Sequence, residues 1–158
     1  MSNIQTTGET KVYIGTSVAC VTNAEFAADT WTEVKEVTDV GEIGDSTEIV
    51  PFLAIGDNRV RKIKGASDGG EVELTVGRDY ADAGQILLRA AVSAKTHRNF
   101  KVVLADAPAS GTPSIIYFAS LVGSGKTVFG SANDVTRQTF SLSITGEILG
   151  VVAAPAAG

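Results

Sequence analysis

Residues Glu71–Ala94, EVELTVGRDYADAGQILLRAAVSA, change their period partway along. Val72, Leu74 and Val76 alternate with Glu71, Glu73 and Thr75, the period of two that gives a strand one buried and one solvated face. From Asp82 the polar residues fall at Asp82, Gln85, Arg89 and Ser93, one side of a 3.6-residue helix. The spacing predicts a helix over about 79–95, with Tyr80, Leu87, Ala91 and Ala94 turned toward a sheet. Asp79 is the expected cap, since a carboxylate can accept the first free N–H groups and suits the positive end of the dipole.

Working upstream, Gly41–Gly70 is a long excursion rich in glycine, with its charges sorted along the chain. Glu36, Asp39, Glu42, Asp45 and Glu48 make its approach acidic, whereas Arg59, Arg61, Lys62 and Lys64 make its return basic. Glu48–Ile55 and Arg59–Ile63 are expected to pair as a hairpin across the turn-forming Gly56-Asp57-Asn58. Pro51 then needs an edge or a bulge, because it has no N–H to give to a ladder. Trp31–Val40 and Lys11–Thr16 read as strands, Val18–Ala28 stays open, and residues 1–10 read as a polar arm.

Downstream, Phe100–Leu104 reads as a strand, and Ala105–Ser114 as a proline-bearing surface loop. Ile115–Val122 is apolar on both faces, which predicts a central strand covered on both sides. Gly123–Gly130 is expected to turn the chain, Val135–Thr145 to alternate as a last strand, and residues 151–158 to form a flexible tail. No repeat or linker divides the chain, so residues 11–150 are expected to make one domain. The fold class is mostly β (α+β): a β-sandwich or partly closed barrel of antiparallel strands flanked by one α-helix.

Composition supports that class and narrows the function. With 158 residues, 44% of them hydrophobic, the chain can bury a real core. Thirteen Lys and Arg against eighteen Asp and Glu leave a net charge of −5, opposite in sign to a DNA-gripping domain. Cys20 has no partner for an internal disulfide and suits a reducing compartment. Neither a signal peptide nor an apolar stretch long enough for a bilayer is visible, so no membrane anchor is expected.

No catalytic, cofactor or metal site emerges. Gly123-Ser-Gly-Lys-Thr127 resembles the end of a phosphate loop, but Ser120 stands where the first glycine belongs and TVFGSANDV is not helical. A glycine-rich turn with an exposed Lys126 is the better reading. His97 is the single histidine, Asp39, Glu42 and Asp45 lack a calcium-loop pattern, and no nucleophile motif is present. The basic run Arg59–Lys64 lacks the interleaved aromatics of a single-strand binder. Its acidic counterpart points instead to contact with another copy of the chain.

The order of elements resembles the tail tube (major tail) proteins of long-tailed, non-contractile bacteriophages. The likeness rests on Trp31-Thr-Glu-Val with VTDVGEIG after it, RKIKGASDGGEVELTV, RDYADAGQILLRAAVSAKTHRNFKVVL and the closing T-x-x-x-F-x-L-x-I-T-G. The resemblance implies a self-assembling virion protein, made in the host cytoplasm, with no enzymatic activity. Six copies would form a ring, and rings would stack around a tape-measure protein into a hollow tube closed by terminator and tip proteins. DNA would pass through the lumen without specific binding. Carried over, the excursion becomes the inter-ring loop, with Glu42, Asp45, Glu48, Phe52, Arg59, Arg61, Lys62 and Lys64 as its contact residues. Glu33, Glu71, Glu73 and Thr75, on the solvent sides of the flanking strands, are the expected lumen residues. The alternatives are the tube protein of a contractile tail or secretion system, and a monomeric β-sandwich binding or adhesin module.

Overall fold

The computed structural model describes residue 4 and residues 6–155. In chain order the elements are β1 (Lys11–Ile14), α1 (Asn23–Ala27), β2 (Thr32–Val34), β3 (Val37–Asp39), β4 (Ser46–Phe52) and β5 (Arg61–Asp68). There follow β6 (Glu71–Gly77), α2 (Ala83–Ser93), β7 (Arg98–Val103), β8 (Ile115–Val128) and β9 (Arg137–Val151). Seven strands form one antiparallel sheet in the order β2-β1-β7-β8-β9-β6-β3, and β4 and β5 pair separately.

β2 and β3 occupy opposite edges of that sheet, yet only Lys35 and Glu36 lie between them. Three peptide steps reach about 11 Å. The sheet must therefore curl until its edges nearly meet, and the result is a barrel left open along one seam. The crossing requires Glu36 to adopt a positive φ of 62°, and its carbonyl accepts from the N–H of Gly77 at 2.7 Å. This is why Trp31–Val40, expected as one strand, is two.

The core is what the alternation predicted. Val72, Leu74 and Val76 of β6 meet Phe140, Leu142 and Ile144 of β9, with Phe100, Phe118, Val12 and Ile14 completing the layer. Phe100 and Phe118 are cross-strand partners whose rings stack at 5.5 Å. Ile115–Val122 of β8, expected to be covered on both faces, is covered so only in part: Phe118 enters the core and Tyr117 packs outside against Phe26 of α1 at 5.3 Å, but Leu121 is exposed. The ladder also runs through Gly123–Gly125, where a turn was expected. A Cβ on Gly125 would stand 2.9 Å from the Phe140 ring and 3.2 Å from Val92, so the small residue lets strand, ring and helix share that space.

α2 closes the barrel, but its register differs from the sequence reading. Asp82, not Asp79, caps it by accepting from the Gln85 N–H at 3.1 Å, and Asp79 instead closes a tight turn onto the Ala81 N–H. The buried face is Gly84, Gln85, Leu88 and Ala91; Tyr80 is 80% exposed and Ala94 is exposed. Because the helix starts at Ala83, Tyr80 falls before its first turn. Gln85, expected toward solvent, is fully buried because it stitches the seam. Its Nε2 donates to the carbonyls of Lys35 (3.0 Å) and Gly77 (2.9 Å), and its Oε1 accepts from the Asp79 N–H at 2.9 Å. Asp82 adds a bond from the Lys35 N–H at 3.1 Å. Gly84 lets the helix lie against β2, where a Cβ would press into the Glu33 carbonyl and the Val34 backbone. Among the described residues there are thus two helices where one was expected, the second being the short α1 within Val18–Ala28.

At the termini, β9 takes in Val151, and Thr112 and Ala154 exchange backbone hydrogen bonds of 2.8 and 3.1 Å. Residues 1–3 and 5 of the expected arm and residues 156–158 of the expected tail lie outside the described residues.

Candidate assembly surfaces

The most unusual surface is the β4–β5 hairpin. Its strands pair from Ser46↔Asp68 out to Phe52↔Arg61, with a bulge near Glu48, so the observed hairpin is wider at the base than Glu48–Ile63 and has a longer tip. Nothing in either strand is buried. Seven large apolar side chains between Ile49 and Ile63 are exposed, Ile55 completely so. Cross-strand partners share a face. Val50 and Ile63 pair on the face that also carries Phe52 and Arg61, whereas Ile49 and Pro51 share the other with Lys64 and Lys62. Pro51 is tolerated because both strands of the pair are edges.

The inter-ring candidates divide along this hairpin. Glu42 and Asp45 lie at its root, lining a hollow with Asp68 and Glu71. Arg59, Arg61, Lys62 and Lys64 occupy the distal half and are exposed. Arg61 reaches Asp57 at 3.4 Å, an exposed pair of little energetic weight. Glu48 projects from the bulge between the two zones.

Of the expected lumen residues, three come together and one does not. Glu71, Glu73 and Thr75 lie on the outer face of β6, opposite Ser143, Ser141 and Thr139 of β9. Glu71 accepts from the Ser143 hydroxyl at 3.3 Å, and Thr75 and Thr139 share a hydroxyl bond of 3.3 Å. β8 continues this polar strip with Ser124 and Lys126. Glu33 pairs with Tyr13 on β2, at the other edge of the sheet, and is outside the strip.

The outer face near β1 and β7 carries a cluster that the sequence did not single out. Lys101 sits over the rings of Tyr13 (4.4 Å) and Trp31 (5.1 Å), and burial pulls its ammonium below the usual lysine range. Burial likewise pushes the Tyr117 phenol up. Asn99, fully buried, donates to Asp29 (2.8 Å) and to the Val18 carbonyl (2.9 Å), fixing the loop that leads into α1. Burial raises the Asp29 pKa, but hydrogen bonds from Asn99, Thr16 and Thr30 outweigh it and hold the carboxyl below its ordinary value. Burial, and then the nearby Asp29 and Glu25 charges, push the Cys20 thiol up, which leaves it a poor nucleophile. Gly123–Thr127 lies within β8 and has no helix after it to receive a phosphate. Among the described residues no group of three or more His, Cys, Asp or Glu side chains is placed to hold a metal ion, and no helix is long and apolar enough to cross a membrane.

The overall fold recurs in solved structures of low sequence identity. A chain of the anti-feeding prophage baseplate superimposes with a TM-score of 0.72 at 12% identity, over 96% of this chain and 98% of that one. A chain from the sheath/tube terminator of an extracellular contractile injection system gives 0.70 at 12% identity, over 94% and 97%. The SPP1 tail tube gives 0.65 at 14% identity, over 93% and 78%. No curated protein matches the chain in sequence. These likenesses show a shared fold. The chain belongs to the phage tail tube protein family, whose model matches residues 1–153. It is a structural component of the virion and not an enzyme.

Proposed function

We propose that six copies of the chain close into a ring and that rings stack through the β4–β5 hairpin into the tail tube. The observation that carries this reading is the hairpin itself. A two-stranded ribbon without a core is marginal alone, and one exposing seven large apolar side chains gains its stability from a partner. Glu71, Glu73 and Thr75 face the lumen, where a carboxylate- and hydroxyl-lined wall repels DNA and lets it slide. A tape-measure protein fills the lumen during assembly, terminator and tip proteins close the ends, and the tube is built in the host cytoplasm. The six-fold ring, these partners and the DNA route rest on family resemblance.

The test is electron microscopy of the concentrated protein beside a variant lacking Gly56–Lys64. Wild type should form rings and tubes, and the variant rings without stacking. Tubes of normal length from the deletion variant would sink the hairpin assignment. The likeness to chains of contractile injection particles supports a second reading, the tube of a contractile tail. Co-purification with a sheath protein would favour it.

A further inference from the structure

The hairpin is one half of a contact, and the body carries a surface suited to be the other half. β6 spans about 20 Å at ~3.3 Å per residue. The hairpin springs from its Glu71 end, since Asp68 closes β5 and only Gly69 and Gly70 intervene. At the Gly77 end, Gly77 pairs with Arg137, Arg137 pairs with Val128, and the Arg78 N–H donates to the Thr136 carbonyl at 3.0 Å. That end gathers a second set of exposed apolar side chains: Tyr80 (80%), Val128 (51%), Phe129 (69%) and Val135 (66%). Arg89 braces the site, bonding the Asp79 and Tyr80 carbonyls and the Gln138 side chain, each at 3.4 Å.

We infer that this end is the receptor for the hairpin of a second copy of the chain, so that stacking is head to tail. The inference rests on the proposed stacking role of the hairpin. Two arguments select the occupant. First, an interface between unlike patches on opposite ends of one molecule does not close on itself, and propagates as an open stack. Hairpin-to-hairpin contact would stop at two copies. Secondly, the charges are complementary. Residues 49–64 hold four basic and one acidic side chain, a net of +3, while the other 142 residues hold nine basic and seventeen acidic, a net of −8. The cationic hairpin is thus attracted to the body of any other copy. Within the receptor, Asp79 and Asp134 are engaged by the Ala81 and Ser131 N–H groups and offset by Arg78, Arg89 and Arg137, so the patch itself receives the hairpin by apolar contact. The acidic hollow at the hairpin root offers charge, but its lining has only Ile43 to meet Phe52, Ile55 and Ile63.

The experiment uses two full-length variants, Phe52→Asp in the hairpin and Phe129→Asp in the receptor, with Tyr80→Asp as a second receptor variant. Circular dichroism and melting first establish that each is folded, as expected for exposed positions. Each variant alone should form no stacks, with tube length on grids falling at least tenfold. An equimolar mixture retains one intact hairpin and one intact receptor. It should therefore recover short stacks of two rings and no longer tubes. If Phe129→Asp and Tyr80→Asp both build tubes of wild-type length while Phe52→Asp does not, the receptor assignment is wrong and the hairpin role stands. If Phe52→Asp also builds full tubes, the hairpin role itself fails. No recovery of two-ring stacks in the mixture overturns the head-to-tail geometry.

Discussion

β5 and β6 are neighbours in the chain, separated by Gly69 and Gly70, and their fates differ completely. In β6 the odd positions face outward while Val72, Leu74 and Val76 are sealed in the core cluster with Leu88, Phe100 and Phe140. In β5 no residue is buried, although Ile63 is as apolar as any of those three. The difference lies in what covers them: β6 turns its apolar face into the core cluster, whereas no residue of β4 or β5 is buried on either face. Alternation marks β6 as a strand, and only in the body does the same molecule supply the covering layer. An apolar strand with no cover in its own monomer is evidence about a partner.

The contrast gives an ordered set of expectations. Truncating the body should be most costly: Phe140→Ala, at a fully buried position, should lower folding stability by about 3–5 kcal/mol in denaturant titration. The seam comes next. Gln85→Ala leaves the Lys35 and Gly77 carbonyls and the Asp79 N–H without partners, and should cost about 2–3 kcal/mol. Equal melting temperatures for this variant and wild type would show that the seam is held otherwise. A smaller effect should follow acidification at the α1 loop. The Asp29 carboxyl is depressed in the folded state, so its contribution is fully present above its unfolded value of about 3.9. It is lost as pH falls through that value toward the lower folded one. Trp31, whose indole N–H donates to the Phe26 carbonyl at 2.9 Å, should report the loosening by fluorescence below about pH 4. An Asp29→Asn variant should lack that transition. Smallest of all, Phe52→Asp should shift monomer stability by no more than about 0.5 kcal/mol. A large destabilisation would mean that the hairpin packs on its own body.

The body was legible because its strands state their partners in one-dimensional terms. Val72/Leu74/Val76 and Phe140/Leu142/Ile144 alternate cleanly, and the doubly apolar Ile115–Val122 announced its partial cover on both faces. The hairpin was legible from its turn and charge pattern. The seam was not. Nothing local reveals that Val34 and Val37 lie on opposite edges of one sheet, and Gln85 reads as a surface residue until Lys35 and Gly77 are brought to it from distant parts of the chain. The helix register failed for the same reason, since the buried side was set by a polar contact and not by hydrophobicity. Of the surfaces, the strip Glu71–Thr75 followed from alternation, whereas Glu33 required the sheet order to be placed. The receptor end escaped notice because Tyr80, Phe129 and Val135 meet only through the β6–β9–β8 ladder.

The strand order also has a consequence for assembly. β9, the last strand among the described residues, lies between β8 and β6 and joins the two halves of the sheet. Without Arg137–Val151, β6 and β3 have no ladder to β8 and the strands beyond it. The hairpin β4–β5 is made of local contacts and does not depend on that ladder. The receptor end includes Val135 and the Arg137 pairing, so it is completed only with β9. The proposed contact between hairpin and receptor therefore requires β9 to be in place.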